Sequence, residues 1–174
     1  MNVQPRLRFP LVAMPLLAAC VNISDEEHSR RLLEASSIGA YEGTLIVTFR
    51  KSSLSLPCEG EVSFSVEAGA VSGAPLPLSG EASCDTEDAL DVFGVGLVQV
   101  SGELNGQVLD GVVDASFDGE AGGGDGFHHA WSGEIQLSDP VKLLGDYDGT
   151  IDLGVVNDIE VDGKIEAVQI AGLQ

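Results

Sequence analysis

Histidine side chains are the first groups of this chain that could ligate a metal or transfer a proton. His128 and His129 are the only adjacent pair among its three histidines, and imidazole is a common ligand of zinc and copper. Successive residues of a strand point to opposite faces, so these two rings can share a metal only from a loop. We expect the pair to mark the junction of a loop and a strand, and we predict no metal or cofactor.

Carboxylates form two further candidate sites. The segment 118–126 is rich in glycine and acid, and its Gly-Gly-Gly-Asp-Gly portion faintly resembles a calcium-binding repeat that normally recurs in tandem. A second set could line adjacent strand faces and bind calcium or act as paired carboxylates: Asp146, Asp148, Asp152, Asp162 and Glu166. The repeat occurs once and Lys164 interrupts the acids, which favours a loop and a solvated outer face.

Motifs for nucleophilic or phosphate chemistry are missing from the sequence. There is no Gly-x-Ser-x-Gly elbow, no HExxH and no phosphate-binding glycine loop. The scattered histidines offer no base beside a nucleophile. We therefore predict that the protein is not an enzyme.

The charge balance excludes another class of function. Eight basic residues stand against 28 acidic ones, a formal net charge of −20. Nucleic-acid binding requires clustered lysine and arginine to contact phosphates, so this class is excluded. The same charge disfavours electrostatic docking on anionic lipid, whereas a cationic partner is compatible with it.

The N-terminus has the layout of an export signal. Arg6 and Arg8 precede an apolar run over residues 9–17 that is too short to span a bilayer. The residues Leu17, Ala18, Ala19 and Cys20 resemble the lipobox of bacterial lipoproteins. The resemblance implies that residues 1–19 are removed, that Cys20 carries fatty acyl chains such as palmitate, and that the protein is anchored in the cell envelope. An ordinary secretory signal with a chance cysteine is the alternative.

Further expectations follow from the resemblance. Val21 is not aspartate, which in this family implies sorting to the outer membrane, with a periplasmic or surface-facing domain. Loss of residues 1–19 would leave six basic residues against the same 28 acids, a formal charge of −22. With Cys20 lipidated in an oxidising compartment, Cys58 and Cys84 are expected to form a disulfide, two buried thiols being the alternative.

A short pattern recurs from residue 41 onward and predicts the fold. An apolar residue, a polar residue and a glycine precede alternating apolar positions at Tyr41, Cys58, Leu78, Leu109, Trp131, Tyr147 and Val161, with a truncated copy at Val100. A period of two indicates strands. We expect about eight: 41–49, 58–68, 76–84, 93–104, 107–117, 129–137, 144–154 and 160–170.

These strands predict an all-β antiparallel meander, most simply a small closed or partly open β-barrel. A two-sheet sandwich is an alternative, as is an outer-membrane barrel with apolar residues facing lipid. A capping box from Ser24 to Glu27 predicts one short helix over residues 25–35. Residues 20–40 would then form a tether with this helix, and residues 41–174 the β-domain.

Two hairpin registers can be predicted. Asn105-Gly106 is a type I′ turn signal, and it would place Val100 opposite Gly111 and Gly94 opposite Phe117. Cross-strand cysteines would centre the other hairpin on Val71, with Phe64 opposite Leu78 and Val66 opposite Leu76. Pro75 and Pro77 would then make the second strand an edge strand or a bulged one.

The expected function is a lipid-anchored envelope protein with a structural or protein-interaction role. A binder of small molecules or lipids that uses the barrel interior is the alternative, because many inward positions are glycine or alanine.

Overall fold

The computed structural model describes residues 24–85, 99–121, 126–152 and 157–172, and it contains one helix followed by eight strands. Helix α1 spans Asp25–Ser37. The strands are β1 Gly39–Lys51, β2 Leu54–Val66, β3 Leu76–Asp85, β4 Gln99–Leu109, β5 Val112–Ala121, β6 Gly126–Gln136, β7 Lys142–Ile151 and β8 Ile159–Gly172. Each strand pairs antiparallel with the next, and β8 pairs with β1. The predicted closed barrel is confirmed, and the sandwich alternative is wrong.

Helix α1 begins where the capping box predicts. The Ser24 hydroxyl accepts a hydrogen bond from the backbone nitrogen of Glu27 at 3.2 Å, which satisfies one of the free donors of the first turn. The helix continues two residues past the predicted end at 35, and Ile38 then turns to an extended backbone that enters β1.

The barrel interior is apolar and its outer face is polar. Inward positions of all eight strands carry buried aliphatic and aromatic side chains, and Trp131, Tyr41, Phe49 and Phe117 are the largest of those that are less than 2% exposed. Serine, threonine and acidic residues alternate with them on the outside. An outer-membrane barrel needs the opposite arrangement, with its apolar band outward. That alternative is therefore wrong.

Inward glycines are covered by aromatic rings from a neighbouring strand. The Tyr147 ring lies over Gly163, the Trp131 indole over Gly145, and the His129 ring over Gly149. A glycine lets the strand coil sharply, and the ring fills the space that a side chain would occupy. The predicted partnership of large residues with glycines is confirmed, although its one named example, Phe117 over Gly94, falls outside the described residues at Gly94.

Gly163→Ala is expected to destabilise the barrel by about 1–3 kcal/mol, the usual cost of overpacking a close-packed core. An added Cβ would overlap the Tyr147 ring. Gly126→Ala is the matched control, because its Cβ would meet only the Gly119 carbonyl at 3.4 Å, an ordinary contact. Urea unfolding of both variants measures the difference. Equal stability of the two would contradict the ring-over-glycine packing.

The predicted turn at Asn105-Gly106 is wrong. These residues lie inside β4, and the β4–β5 turn is Asp110-Gly111, whose φ angles of 51° and 81° fit type I′. The observed register sets the buried residues opposite one another: Leu104 with Phe117, Val108 with Val113 and Val100 with Ala121. This match of inward side chains favours the turn at Asp110-Gly111 over the one at Asn105-Gly106.

The predicted β2–β3 register is also wrong, by two residues. Val66 lies opposite Leu78, and Phe64 lies opposite Gly80 rather than Leu78. A shift of two keeps every side chain on its predicted face, and it sets Phe64 directly opposite Gly80. Strand β3 is not an edge strand either, because it pairs with both β2 and β4.

The two cysteines tolerate this shift. The sulfur atoms of Cys58 and Cys84 are 2.12 Å apart and their Cα atoms 5.9 Å apart, within the range of a disulfide. Cys84 lies opposite Gly60 rather than Cys58, so the bridge runs diagonally between β2 and β3. The pair is at bonding distance, as the sequence predicts, although not as direct cross-strand neighbours.

Candidate functional site

The histidine pair is split between the two faces of β6. The side chain of His128 is exposed and lies beside Asp118 on the outer face, whereas His129 is buried in the barrel. Strand alternation separates the rings, so they cannot ligate one metal. The pair lies within the strand, not at the loop junction that the sequence predicts.

On the outer face, Asp118 joins a serine to a histidine. Ser116 Oγ donates a hydrogen bond of 2.6 Å to Asp118 Oδ2, and His128 Nδ1 contacts the other oxygen. These two contacts, that of Ser116 first, lower the pKa of Asp118. Nucleophilic activation requires the histidine between the serine and the acid. Because the acid is in the middle here, this order cannot activate Ser116.

Inside the barrel, His129 belongs to an aromatic cluster. Its ring stacks on Phe127 at 4.8 Å and lies 5.5 Å from Tyr147. Nε2 donates to the Thr150 carbonyl at 3.1 Å, because a carbonyl oxygen can only accept. Nδ1 is left without a partner. The expected loop junction does not include this role, although the inward parity of Trp131 two residues later also assigns His129 to the interior.

The carboxylates of β7 and β8 lie on the exposed outer face, as predicted. Asp146 lies opposite Lys164 in the register of the two strands, and Asp148 lies opposite Asp162. Asp162 also forms an ion pair with Arg50 of β1. Asp152 directly follows the end of β7 and accepts a hydrogen bond of 2.8 Å from the Asp158 backbone. In the described part of the chain, no three His, Cys, Asp or Glu residues are grouped to hold a metal.

One end of the barrel, here called the helix end, is closed by α1. It comprises α1 with the β2–β3, β4–β5 and β6–β7 connections at 67–75, 110–111 and 137–141. Leu33 packs on Gly111, Arg30 lies over Gly73, and Glu34 accepts a hydrogen bond of 3.2 Å from the Gly73 backbone. The helix is therefore fixed to the barrel through two of its connections.

The C-terminal turn of α1 is held by side chains of β1 and β8. Tyr41 Oη donates to the Ser37 carbonyl at 2.8 Å. Gln169 Nε2 donates to the carbonyls of Ser36 and Ile38, each at 3.0 Å. Carbonyls at a helix end lack partners within the helix, so these bonds satisfy them and fix the helix to the first and last strands.

Tyr41→Phe is expected to cost about 1 kcal/mol at neutral pH, through loss of the hydrogen bond to Ser37. Burial, opposed in part by Gln169, raises the pKa of Tyr41 from 10.0 to about 12. Because the pKa of Tyr41 is raised in the folded state, the stability that depends on its neutral phenol is complete below pH 10 and is lost as the pH rises towards 12.

Between pH 10 and pH 12, Tyr41→Phe should therefore lose less stability than the natural protein. The difference is up to about 1.4 kcal/mol per pH unit for one proton. Burial also raises the pKa of Tyr147, so Tyr147→Phe is a second variant expected to flatten the curve. Urea unfolding at a series of pH values checks this. Identical curves for all three proteins above pH 10 would rule out a protonated buried tyrosine.

A groove of about 920 Å³ runs over the outside of β8, β1, β2, β3 and β4. Gly43, Ala82 and Gly102 are among the residues that line it. Four glutamates are among the residues along it: Glu42, Glu61, Glu81 and Glu103. Ile170 also lines the groove, at an irregularity where β8 carries one more residue than β1. This outer groove is acidic and open to solvent.

The predicted anchor residues Leu17, Ala18, Ala19 and Cys20 lie outside the described residues. No described helix has the length and hydropathy needed to cross a membrane. Comparison with known protein families, curated proteins and solved structures finds no match to this chain.

Proposed function

We propose that this chain is a lipid-anchored protein of the bacterial cell envelope that acts through a protein partner and carries out no catalysis. The lipobox resemblance makes Cys20 the anchor. Because position 21 is not aspartate, the resemblance also implies sorting to the outer membrane. The observation that carries the proposed mode of action is the packed interior of the barrel, which leaves the outer face and the two ends to meet a partner.

The packed interior weighs against the alternative, a ligand binder that uses the barrel lumen. Tyr41 and Phe64 stack at 5.0 Å, and Phe64 meets the edge of Trp131 at 6.1 Å. Phe117 contacts Phe127 at 5.1 Å and Tyr147 at 5.5 Å. Rings at these separations are in contact with one another. Binding sites for small molecules need a concave space of some hundreds of Å³, which these side chains occupy.

The outer groove supports the partner. It joins a concave surface to four glutamates, and the chain as a whole is strongly acidic. Complementary charge speeds association and selects partners. We therefore propose a partner whose contact surface carries a net positive charge and docks in the outer groove.

A charge-matched pair of variants tests this proposal in native membranes. The groove variant combines Glu61→Gln, Glu81→Gln and Glu103→Gln, and the control neutralises three acids elsewhere on the barrel: Asp146→Asn, Asp148→Asn and Glu160→Gln. Short-range cross-linking of the membrane-bound chain should give one main adduct that the groove variant loses and the control keeps. Equal adducts from both variants would overturn the assignment to the groove.

Attachment to the membrane is tested separately by Cys20→Ser. This variant should leave the membrane fraction, because a serine at this position cannot take the thioether-linked lipid. A Cys20→Ser chain that stays membrane-bound would contradict the anchor, whatever the cross-linking result.

A further inference from the structure

The helix end of the barrel carries exposed apolar side chains. Seven large hydrophobic residues are exposed among those that the structure describes. Five of them belong to the helix end, and we call them the apolar rim: Leu32, Val71, Leu109, Val112 and Leu137. Ile170 lines the outer groove, and Leu54 lies at the opposite end, whose other connections, 86–98, 122–125 and 153–156, lie outside the described residues. Exposed apolar residues collected in one region mark a surface that contacts something apolar.

Contacts between connections hold the apolar rim together. Leu109 and Val112 face each other across the β4–β5 turn. The Ile135 backbone nitrogen donates to the Gly111 carbonyl at 2.8 Å, which brings the end of β6, and Leu137 beyond it, to the same turn. The bond from Gly73 to Glu34 holds the loop that carries Val71 against the helix that carries Leu32.

The chain before α1 indicates what covers this rim. Cys20 precedes Ser24 by four residues, a span of at most about 14 Å when fully extended. Ser24 in turn lies nine residues before Leu33, about 14 Å along the helix axis. A lipid on Cys20 therefore holds the membrane surface within reach of the helix end.

We propose that the barrel stands on the membrane by its helix end, with the apolar rim dipping into the lipid interface and the opposite end pointing away. This inference rests on the proposed lipid anchor. The acyl chains supply the attachment, and the rim sets the orientation, because each buried apolar side chain adds a favourable contact with lipid.

The negative charge of the helix end favours a zwitterionic lipid surface over an anionic one. Seven acidic side chains lie on α1 and the nearby connections, namely Asp25, Glu26, Glu27, Glu34, Glu67, Asp110 and Asp139, against the basic side chains of Arg30, Arg31 and Lys142. An anionic surface would repel this end, and salt would screen the repulsion. The orientation should therefore be firmest on phosphatidylcholine and weaken as anionic lipid is added at low salt.

Fluorescent labels at the two ends test the orientation in the lipidated mature protein on vesicles. Val112→Cys and Leu137→Cys place a label on the apolar rim, and Leu54→Cys places one at the other end as the matched control. With Cys20 acylated and Cys58 bridged to Cys84, the new thiol is the one that reacts. Phosphatidylcholine carrying a quencher near its headgroup should quench both rim labels several-fold more than the Leu54→Cys label.

Each other outcome overturns the inference in an identifiable way. Equal quenching at both ends, in protein that floats with the vesicles, rejects the orientation and leaves the anchor standing. Protein that does not float rejects the anchor and the orientation together. Shielding of the rim labels that rises with protein concentration and ignores lipid assigns the rim to a second copy. Shielding only while residues 1–19 remain attached assigns it to the apolar segment 9–17.

Discussion

Trp131→Ala is expected to lower the free energy of unfolding by about 3–5 kcal/mol, the range for removing a large aromatic side chain from a core. Trp131 is 1% exposed. Its indole covers Gly145 and meets the ring of Phe64. Removing it takes away the contacts of the ring and leaves a glycine facing an alanine, a gap that the surrounding strands cannot close.

Two further variants separate the cavity from other effects of substitution. Trp131→Phe keeps most of the ring and removes an indole N–H that has no hydrogen-bond partner, so it should cost much less than Trp131→Ala. Ser132→Ala changes the adjacent exposed residue and should leave stability within about 0.5 kcal/mol. Urea unfolding measures all three. A Trp131→Ala variant as stable as Ser132→Ala would contradict the packed interior.

Trp131→Ala also distinguishes the proposed protein-interaction role from the alternative, a binder that uses the barrel interior. An apolar cavity made in a dry core can take up a small apolar molecule such as benzene. We therefore expect Trp131→Ala to be stabilised by benzene and the natural protein to be unaffected. Saturable stabilisation of the natural protein by apolar ligands would favour the interior binder over the protein-interaction role.

Removal of the bridge between Cys58 and Cys84 is the second large effect. The cysteines are 26 residues apart in sequence, and a bridge closing such a loop stabilises the folded state by about 3.5 kcal/mol in the chain-entropy account. Both cysteines are buried, so Cys58→Ala with Cys84→Ala adds a small loss of packing to the loss of the bridge.

Reduction provides the control for the packing term. The natural protein unfolded in the presence of a reducing agent keeps both sulfur atoms and loses only the bond. It should lie close to the double variant and well below the oxidised protein in the midpoint of urea unfolding. Oxidised and reduced protein with the same midpoint would show that the pair contributes no cross-link to the fold.

The strand pattern contained enough information for the architecture but not for the pairing. Alternation assigned the inward residues and implied eight strands, because a period of two is a local property of the chain. Register depends on which inward side chains meet across strands, which is not local. Asn105-Gly106 and Asp110-Gly111 are both good turn signals, and the pairing of Leu104 with Phe117 decides between them.

The glycine pattern was misassigned for a related reason. The copy at Leu109 has the same residue types as the strand copies, yet its glycine is the second residue of a turn with positive φ. Gly106 has the opposite role, since it lies inside β4, opposite Ala115. Sequence alone gives the glycine, and the neighbouring strand determines whether it forms a turn or receives a side chain.

The helix end was predictable only in part. The capping box located the start of α1, because a cap is a contact between residues close in sequence. The bonds that close the barrel with this helix join Gln169 to Ser36 and Ile38 across more than 130 residues. Because these bonds join residues so far apart in the chain, no local sequence pattern predicts them.

The measurement that tests the central claim most directly is the intact mass of the mature protein purified from its own membrane, with fragmentation of its first residues. We predict a chain that begins at Cys20 and carries two or three fatty acyl chains on that residue. An unmodified chain, or one that begins at another residue, would contradict the lipid anchor and the orientation that depends on it.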